Sequence, residues 1–164
     1  MDRYVHVIYC DDIRQEVGNK RSFMGVYGAD LVVPSFPIAL PKLCISVTAV
    51  TPQSRPFKAL TIKVFNGDAT ILDQAVGKAE LKAISVALPI VPDDSIPDSR
   101  IIVVFELAIS PFAIDEPGKI RVRLITEDGE LQGAALKVTL PTMLEVSKSV
   151  SKQTHQRHRA ASKK

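Results

Sequence analysis

The stretch from Lys42 to Val50 reads KLCISVTAV, and its residue types alternate. Leu43, Ile45, Val47 and Ala49 share one parity, while Lys42, Cys44, Ser46 and Thr48 share the other. Successive side chains of a strand point to opposite faces, so this period of two predicts a strand with an inward and an outward side. The same period recurs towards both termini. Upstream, Val5, Val7 and Tyr9 share a face opposite Tyr4, His6 and Ile8. Ile13 to Val17 and Arg21 to Tyr27 flank Gly18 and Asn19, a turn pair that tolerates positive φ and predicts a hairpin. Gly25 and Gly28 then mark a bulge or a strand end. Asp30 to Val33 is expected as a short edge strand, and Pro34, Pro37 and Pro41 hold the following chain extended.

Downstream, Leu60, Ile62 and Val64 form an inward face before Asn66, Gly67 and Asp68, the strongest local hairpin signal in the chain, which leads into Ala69 to Leu72. A helical turn is expected only over Gly77 to Ala83, with strand resuming at Ile84 to Leu88. Arg100 to Ile109 is apolar on both parities apart from Glu106, which predicts a central strand buried on both faces. A closing hairpin points Ile120, Val122 and Leu124 inward and Lys119, Arg121 and Arg123 outward. It turns at Asp128 and Gly129 and returns through Ala134, Leu136, Val138 and Leu140. These short strands predict an all-β fold, a two-sheet antiparallel β-sandwich of immunoglobulin-like or C2-like type. The domain is expected to span residues 1–141. A disordered basic tail is expected over 142–164, where Met143, Val146 and Val150 are spaced for a short helix induced on a partner.

Composition fits this reading. Apolar residues make up 46% of the chain, aromatics only 5% and tryptophan is absent, so the core must rest on Val, Ile and Leu. The opening MDRYVHVIYCDD lacks the pattern of a secretory signal, and the apolar run Ile101 to Phe105 is far short of the ~20 residues that span a bilayer. A soluble, cytoplasmic protein with no membrane contact is expected, and Cys10 and Cys44 are expected as reduced thiols. Charge is unevenly spread: residues 145–164 hold six Lys or Arg against one acid, or +5 of the overall +3, leaving the first 144 residues at −2. The body is mildly acidic and the tail basic.

Three strings carry a family resemblance: VHVIYCDDIRQEVGNKRSFMGVYG (Val5 to Gly28), VPSFPIALPKLC (Val33 to Cys44) and SPFAIDEPGKIRVRLITEDGEL (Ser110 to Leu131). Over most of residues 4–140 the chain resembles an uncharacterised bacterial family defined only as a domain of unknown function. The resemblance implies a domain boundary and no activity, ligand or catalytic residue.

Chemistry has few footholds. Cys10, Asp11 and Asp12 lie near His6, but four residues along a strand separate His6 from Cys10 by about 13 Å at ~3.3 Å per residue. A nucleophile and its base need ~3 Å. His155 and His158 fall in the tail and offer no preorganised base. Loop acids at Asp11 and Asp12, at Asp93, Asp94 and Asp98, and at Asp115 and Glu116 would be the ligands of a calcium site, although turns contain such residues anyway. No phosphate-cradling glycine loop, nucleophile elbow or spaced metal signature is present in the sequence. No enzyme activity, metal or cofactor is expected.

Lys119, Arg121, Arg123 and Lys137 can line an outer sheet face, but Glu127, Asp128 and Glu130 at the hairpin tip would repel phosphate. The tail cations Lys148, Lys152, Arg157, Arg159, Lys163 and Lys164 are the better candidates for an anionic partner such as nucleic acid. The favoured expectation is a non-catalytic binding or assembly module. Phe36 and Ile38, in the extended VVPSFPIALP segment, are its candidate contacts with an unknown protein partner.

Overall fold

A computed structural model describes residues 3–87 and 100–141. The KLCISVTAV stretch lies within β6 (Leu43–Pro52), the middle strand of a three-stranded antiparallel sheet between β1 (Tyr4–Cys10) and β9 (Arg100–Ile109). A larger sheet runs in the order β4 (Asp30–Val32), β13 (Leu136–Thr139), β11 (Gly118–Thr126), β7 (Leu60–Asn66) and β8 (Ala69–Ala75), with β12 (Gly129–Gln132) also paired to β11. Among the described residues two ribbons complete the strands, β2 (Asp12–Glu16) with β3 (Lys20–Met24) and β5 (Ile38–Leu40) with β10 (Phe112–Ile114), and one helix, α1 (Lys78–Ala87), follows β8.

The two main sheets bury one shared core. Leu43, Ile45, Val47 and Ala49 of β6 join Ile62 and Val64 of β7 and Ile120, Val122 and Leu124 of β11 in a single apolar cluster. Each such side chain contributes about 1.5–3 kcal/mol when taken fully out of water, so this layer is the main source of stability. The Tyr9 hydroxyl crosses between the layers to the carbonyl oxygens of Ala134 (2.8 Å) and Ile120 (3.2 Å). An all-β sandwich is the observed architecture.

Turn chemistry behaves as expected. Gly18 (φ 80°) and Asn19 (φ 56°) close the β2–β3 hairpin, and Gly67 (φ 58°) closes β7–β8. Gly25 (φ 63°) follows the end of β3, where a Cβ would come within 2.0 Å of Asp11 Oδ2.

Several local expectations are corrected. The outward parity of β6 is not solvated: Cys44 and Ser46 are buried because the β2–β3 ribbon lies across that face, with Gln15 and Arg21 both bonded to Glu106. β9 is the edge of its sheet rather than its centre, and Ile102 is exposed. The helix is longer than the turn expected at Gly77 to Ala83, and it runs through Ile84 to Ala87, where strand was expected. Ala, Lys, Glu and Leu are strong helix formers, and their sum over this window outweighs a brief alternation. The last arm is broken into β12 and β13 at Gly133, where a Cβ would sit 2.4 Å from Val7 Cγ2; Ala134 falls in the break and Leu140 past the end of β13, and both are exposed. The larger sheet is not wholly antiparallel either: β4 and β13 pair in parallel, with Lys137 beside Asp30. The tail and its boundary at 141 fall outside the described residues.

Candidate functional site

β9 is the outer strand of the three-stranded sheet, and α1 contacts it. Its parity follows from the hydrogen bonds. The Tyr27 amide donates to the Tyr9 carbonyl at 2.9 Å, so the Tyr9 backbone points away from β6 and that of Cys10 points towards it. Cys10 opposes Cys44, so the next residue, Ile45, turns its backbone to β9 and its partner Leu107. The odd-numbered residues of β9 therefore bond to β6. The N–H and C=O groups of Ile102, Val104, Glu106 and Ala108 face outward, and among the described residues none has a hydrogen-bond partner. Ten regular pairs with β6 leave no bulge, and the sequence RIIVVFELAI holds neither Lys nor Pro. Bulges, Lys and Pro are among the devices that blunt an edge strand; cover by a helix is another, and α1 contacts β9.

An apolar face adjoins this edge. Tyr4, Val50 and Ile102 form one row across the outer side of the small sheet, and His6, Thr48 and Val104 form the next. Tyr4 is 49% and Ile102 51% exposed. The Arg100 guanidinium lies 5.6 Å from the Tyr4 ring centre, a cation–π stack that holds both side chains at the rim. The β2–β3 ribbon covers only the other end of this face, where Glu106 accepts Gln15 Nε2 at 2.6 Å and Arg21 Nη1 at 2.8 Å.

The cysteine corner has the wrong chemistry for a nucleophile. His6 is exposed opposite Thr48, and Cys10 is fully buried opposite Cys44, so the two lie four residues apart along one strand. Burial, then Cys44 and Asp11, push the Cys10 thiol up to about 11. At neutral pH the reactive thiolate is scarce. Asp11 accepts the Tyr27 hydroxyl, and burial followed by that bond raises Tyr27 to about 12. Asp12 is held below the usual carboxylate range by hydrogen bonds from Lys42 and Arg14. These acids are already engaged by side chains of their own chain.

The other sequence candidates are dispersed. Phe36 and Ile38 are half-buried and pack against the core, because β5 is tied to β10 with Ile38 opposite Ile114. Lys119 and Lys137 stand directly opposite each other on the outer face of the larger sheet. Arg121 bonds the Gly67 carbonyl and lies 3.4 Å from Asp68, while Arg123 pairs with Glu130 at 3.1 Å, so half of this cationic set is neutralised. Asp115 and Glu116 share a shallow groove with Asp68. Asp93, Asp94 and Asp98, His155 and His158, and the six tail cations lie outside the described residues. Among the described residues no group of three or more His, Cys, Asp or Glu could hold a metal ion, and no helix is long and apolar enough to cross a membrane.

Two features escaped the sequence reading. One is Arg3, whose side chain is 2% exposed. It donates to Glu127 (2.6 Å), Asp128 (2.6 Å), Thr51 (3.0 Å) and the carbonyls of Arg55 and Pro56 (3.0 Å each), and lies 4.7 Å above the Phe57 ring. Two of the three supposed repulsive acids at the hairpin tip, Glu127 and Asp128, are thus partners of a buried cation. The other is the β9 edge, masked by reading that strand as central.

Fold and surface together define a β-sandwich in which the outward backbone groups of β9 have no hydrogen-bond partner among the described residues. The chain belongs to the family of unknown function DUF6941, whose model matches residues 6–139. Comparison with curated proteins and with solved structures found no match.

Proposed function

We propose that this chain is a non-catalytic binding or assembly module that engages a protein through the β9 edge and the adjoining face at Tyr4 and Ile102. The supporting observation is the run of backbone groups on a regular, apolar edge strand, Ile102 to Ala108, that have no hydrogen-bond partner among the described residues. Such an edge is a template for strand addition, in which main-chain hydrogen bonds give affinity and alternate side chains give selectivity. This moves the favoured contact away from Phe36 and Ile38, whose surface is partly spent on the core. A reducing, cytoplasmic setting fits the two buried, unbridged thiols.

A second reading, an accessory protein on nucleic acid, rests on the six cations of residues 145–164. The two are separated by a photo-crosslinking residue placed at Ile102 in the full chain, with and without residues 145–164, in living host cells. The edge reading expects protein adducts that survive removal of the tail. The tail reading expects nucleic-acid binding that vanishes with it and falls with salt by a log–log slope of up to roughly −0.9 per phosphate contacted. Absence of any protein adduct at Ile102 refutes the edge reading.

A further inference from the structure

We infer that Cys10 and Cys44 form a redox site, a cross-strand dithiol that a small-molecule disulfide converts to an intrachain disulfide when the β2–β3 ribbon lifts. The inference does not depend on the edge reading above. The chain's only two cysteines stand directly opposite each other, Cys10 at the end of β1 and Cys44 near the start of β6. Their neighbours Tyr9 and Ile45 point into the core, so both sulfurs lie on the outer face of the small sheet, yet they are only 0% and 2% exposed. The Cys10 backbone faces β6, which makes this a hydrogen-bonded pair with Cα atoms about 5.5 Å apart. A disulfide spans roughly 4.4–6.8 Å between Cα atoms, so the bond closes without a shift in register. The Cβ atoms of such a pair sit at the wide end of about 4.5–5.5 Å, whereas a disulfide averages ~3.8 Å. Closure therefore draws the strand ends together, and a bond strained in this way is readily reduced again.

The ribbon is the gate. β2 begins at Asp12, two residues after Cys10, and packs against β6 over the sulfurs. Its closed position is held by Gln15 and Arg21 on Glu106, at 2.6 and 2.8 Å, and by Lys42 on Asp12. These are bonds at the surface, which open locally far more often than the core does. While the ribbon is closed, burial and then the neighbouring Cys44 push the Cys10 thiol up to about 11, and the attacking thiolate is scarce. Once the ribbon lifts, one cysteine thiolate attacks a sulfur of the oxidant, whose other half leaves as a thiolate. The second cysteine thiolate then displaces the remaining half. One S–S bond breaks in the oxidant and one forms in the chain. Two electrons pass to the oxidant, and the two protons given up by the cysteines end on its two thiols.

Incubating the full chain over a series of reduced-to-oxidised glutathione ratios tests this, with free thiols counted in denaturant and the intact mass read alongside. Both thiols should disappear together, giving a single-chain species lighter by two hydrogens, and excess reduced glutathione should restore them. Glu106→Ala frees Gln15 and Arg21 and should speed the loss about tenfold in a chain that still melts cooperatively. Arg21→Ala, on the ribbon itself, should do the same to a smaller degree. Thiols that persist at every ratio in all three proteins overturn the site. So does a product that is a mixed disulfide with glutathione or a crosslink between chains. A bond that excess reduced glutathione leaves intact overturns the exchange role, and equal rates in all three proteins overturn the ribbon as the gate.

Discussion

Replacing Arg3 should cost more stability than any other single polar change near the surface. Arg3→Met deletes a guanidinium with five partners and leaves the Thr51 hydroxyl oxygen and the Pro56 carbonyl short of a donor, while the Arg55 carbonyl keeps only the Thr51 hydroxyl. Breaking a buried ion pair by removing one partner costs about 3–5 kcal/mol. Here the acids are partly open to water, Glu127 at 21% and Asp128 at 48%, so they can rehydrate and the low end applies, about 3 kcal/mol. That corresponds to a melting temperature lower by about 6–12 °C. The pH dependence supplies an independent check. Burial alone would raise the Glu127 carboxyl, but bonds from Arg3 and from the amides of Lys58 and Ala59 prevail and hold it near about 2, against 4.5 ordinarily. A carboxyl with a depressed folded pKa stabilises above its unfolded value, and that contribution is lost as pH falls from about 4.5 towards about 2. Discounted for solvent screening it is about 1–2 kcal/mol. Urea denaturation of both proteins should therefore show a gap of about 3 kcal/mol at pH 7 that narrows between pH 5 and pH 2.5. Arg3→Lys should recover only part, since an ammonium cannot reach both carbonyls and both acids. A loss below about 1 kcal/mol at pH 7, or a gap constant down to pH 2.5, would refute the reasoning.

Gly133→Ala should destabilise by about 1–3 kcal/mol, because its Cβ would lie 2.4 Å from Val7 Cγ2, and Val7→Ala should reduce that cost in a double-mutant cycle. Additive single effects would count against the contact. Cys10 and Cys44 should resist a thiol reagent at pH 8 in the native protein and label fully in denaturant, since both are buried and Cys10 titrates near about 11. Rapid native labelling of Cys10 would mean that the β2–β3 ribbon does not stay closed over it.

What was legible in the sequence was whatever one strand and its turn decide between themselves. The inward parities of β6, β7 and β11, and the turns at Gly18, Gly67 and Gly129, follow from side-chain alternation and from residues that accept positive φ. Neighbours across the sheet were not legible. Period two says that a strand has two faces; it does not say what covers the outer one, so Cys44 and Ser46 read as solvated although a ribbon from residues 12–24 lies over them. β9 failed in the opposite sense. Apolar residues on both parities read as burial on both faces, whereas Ile102 is exposed and, among the described residues, the outward backbone groups from Ile102 to Ala108 have no hydrogen-bond partner. Such a run has two physical origins, a strand flanked by its own chain or one reserved for another chain, and both demand the same residues.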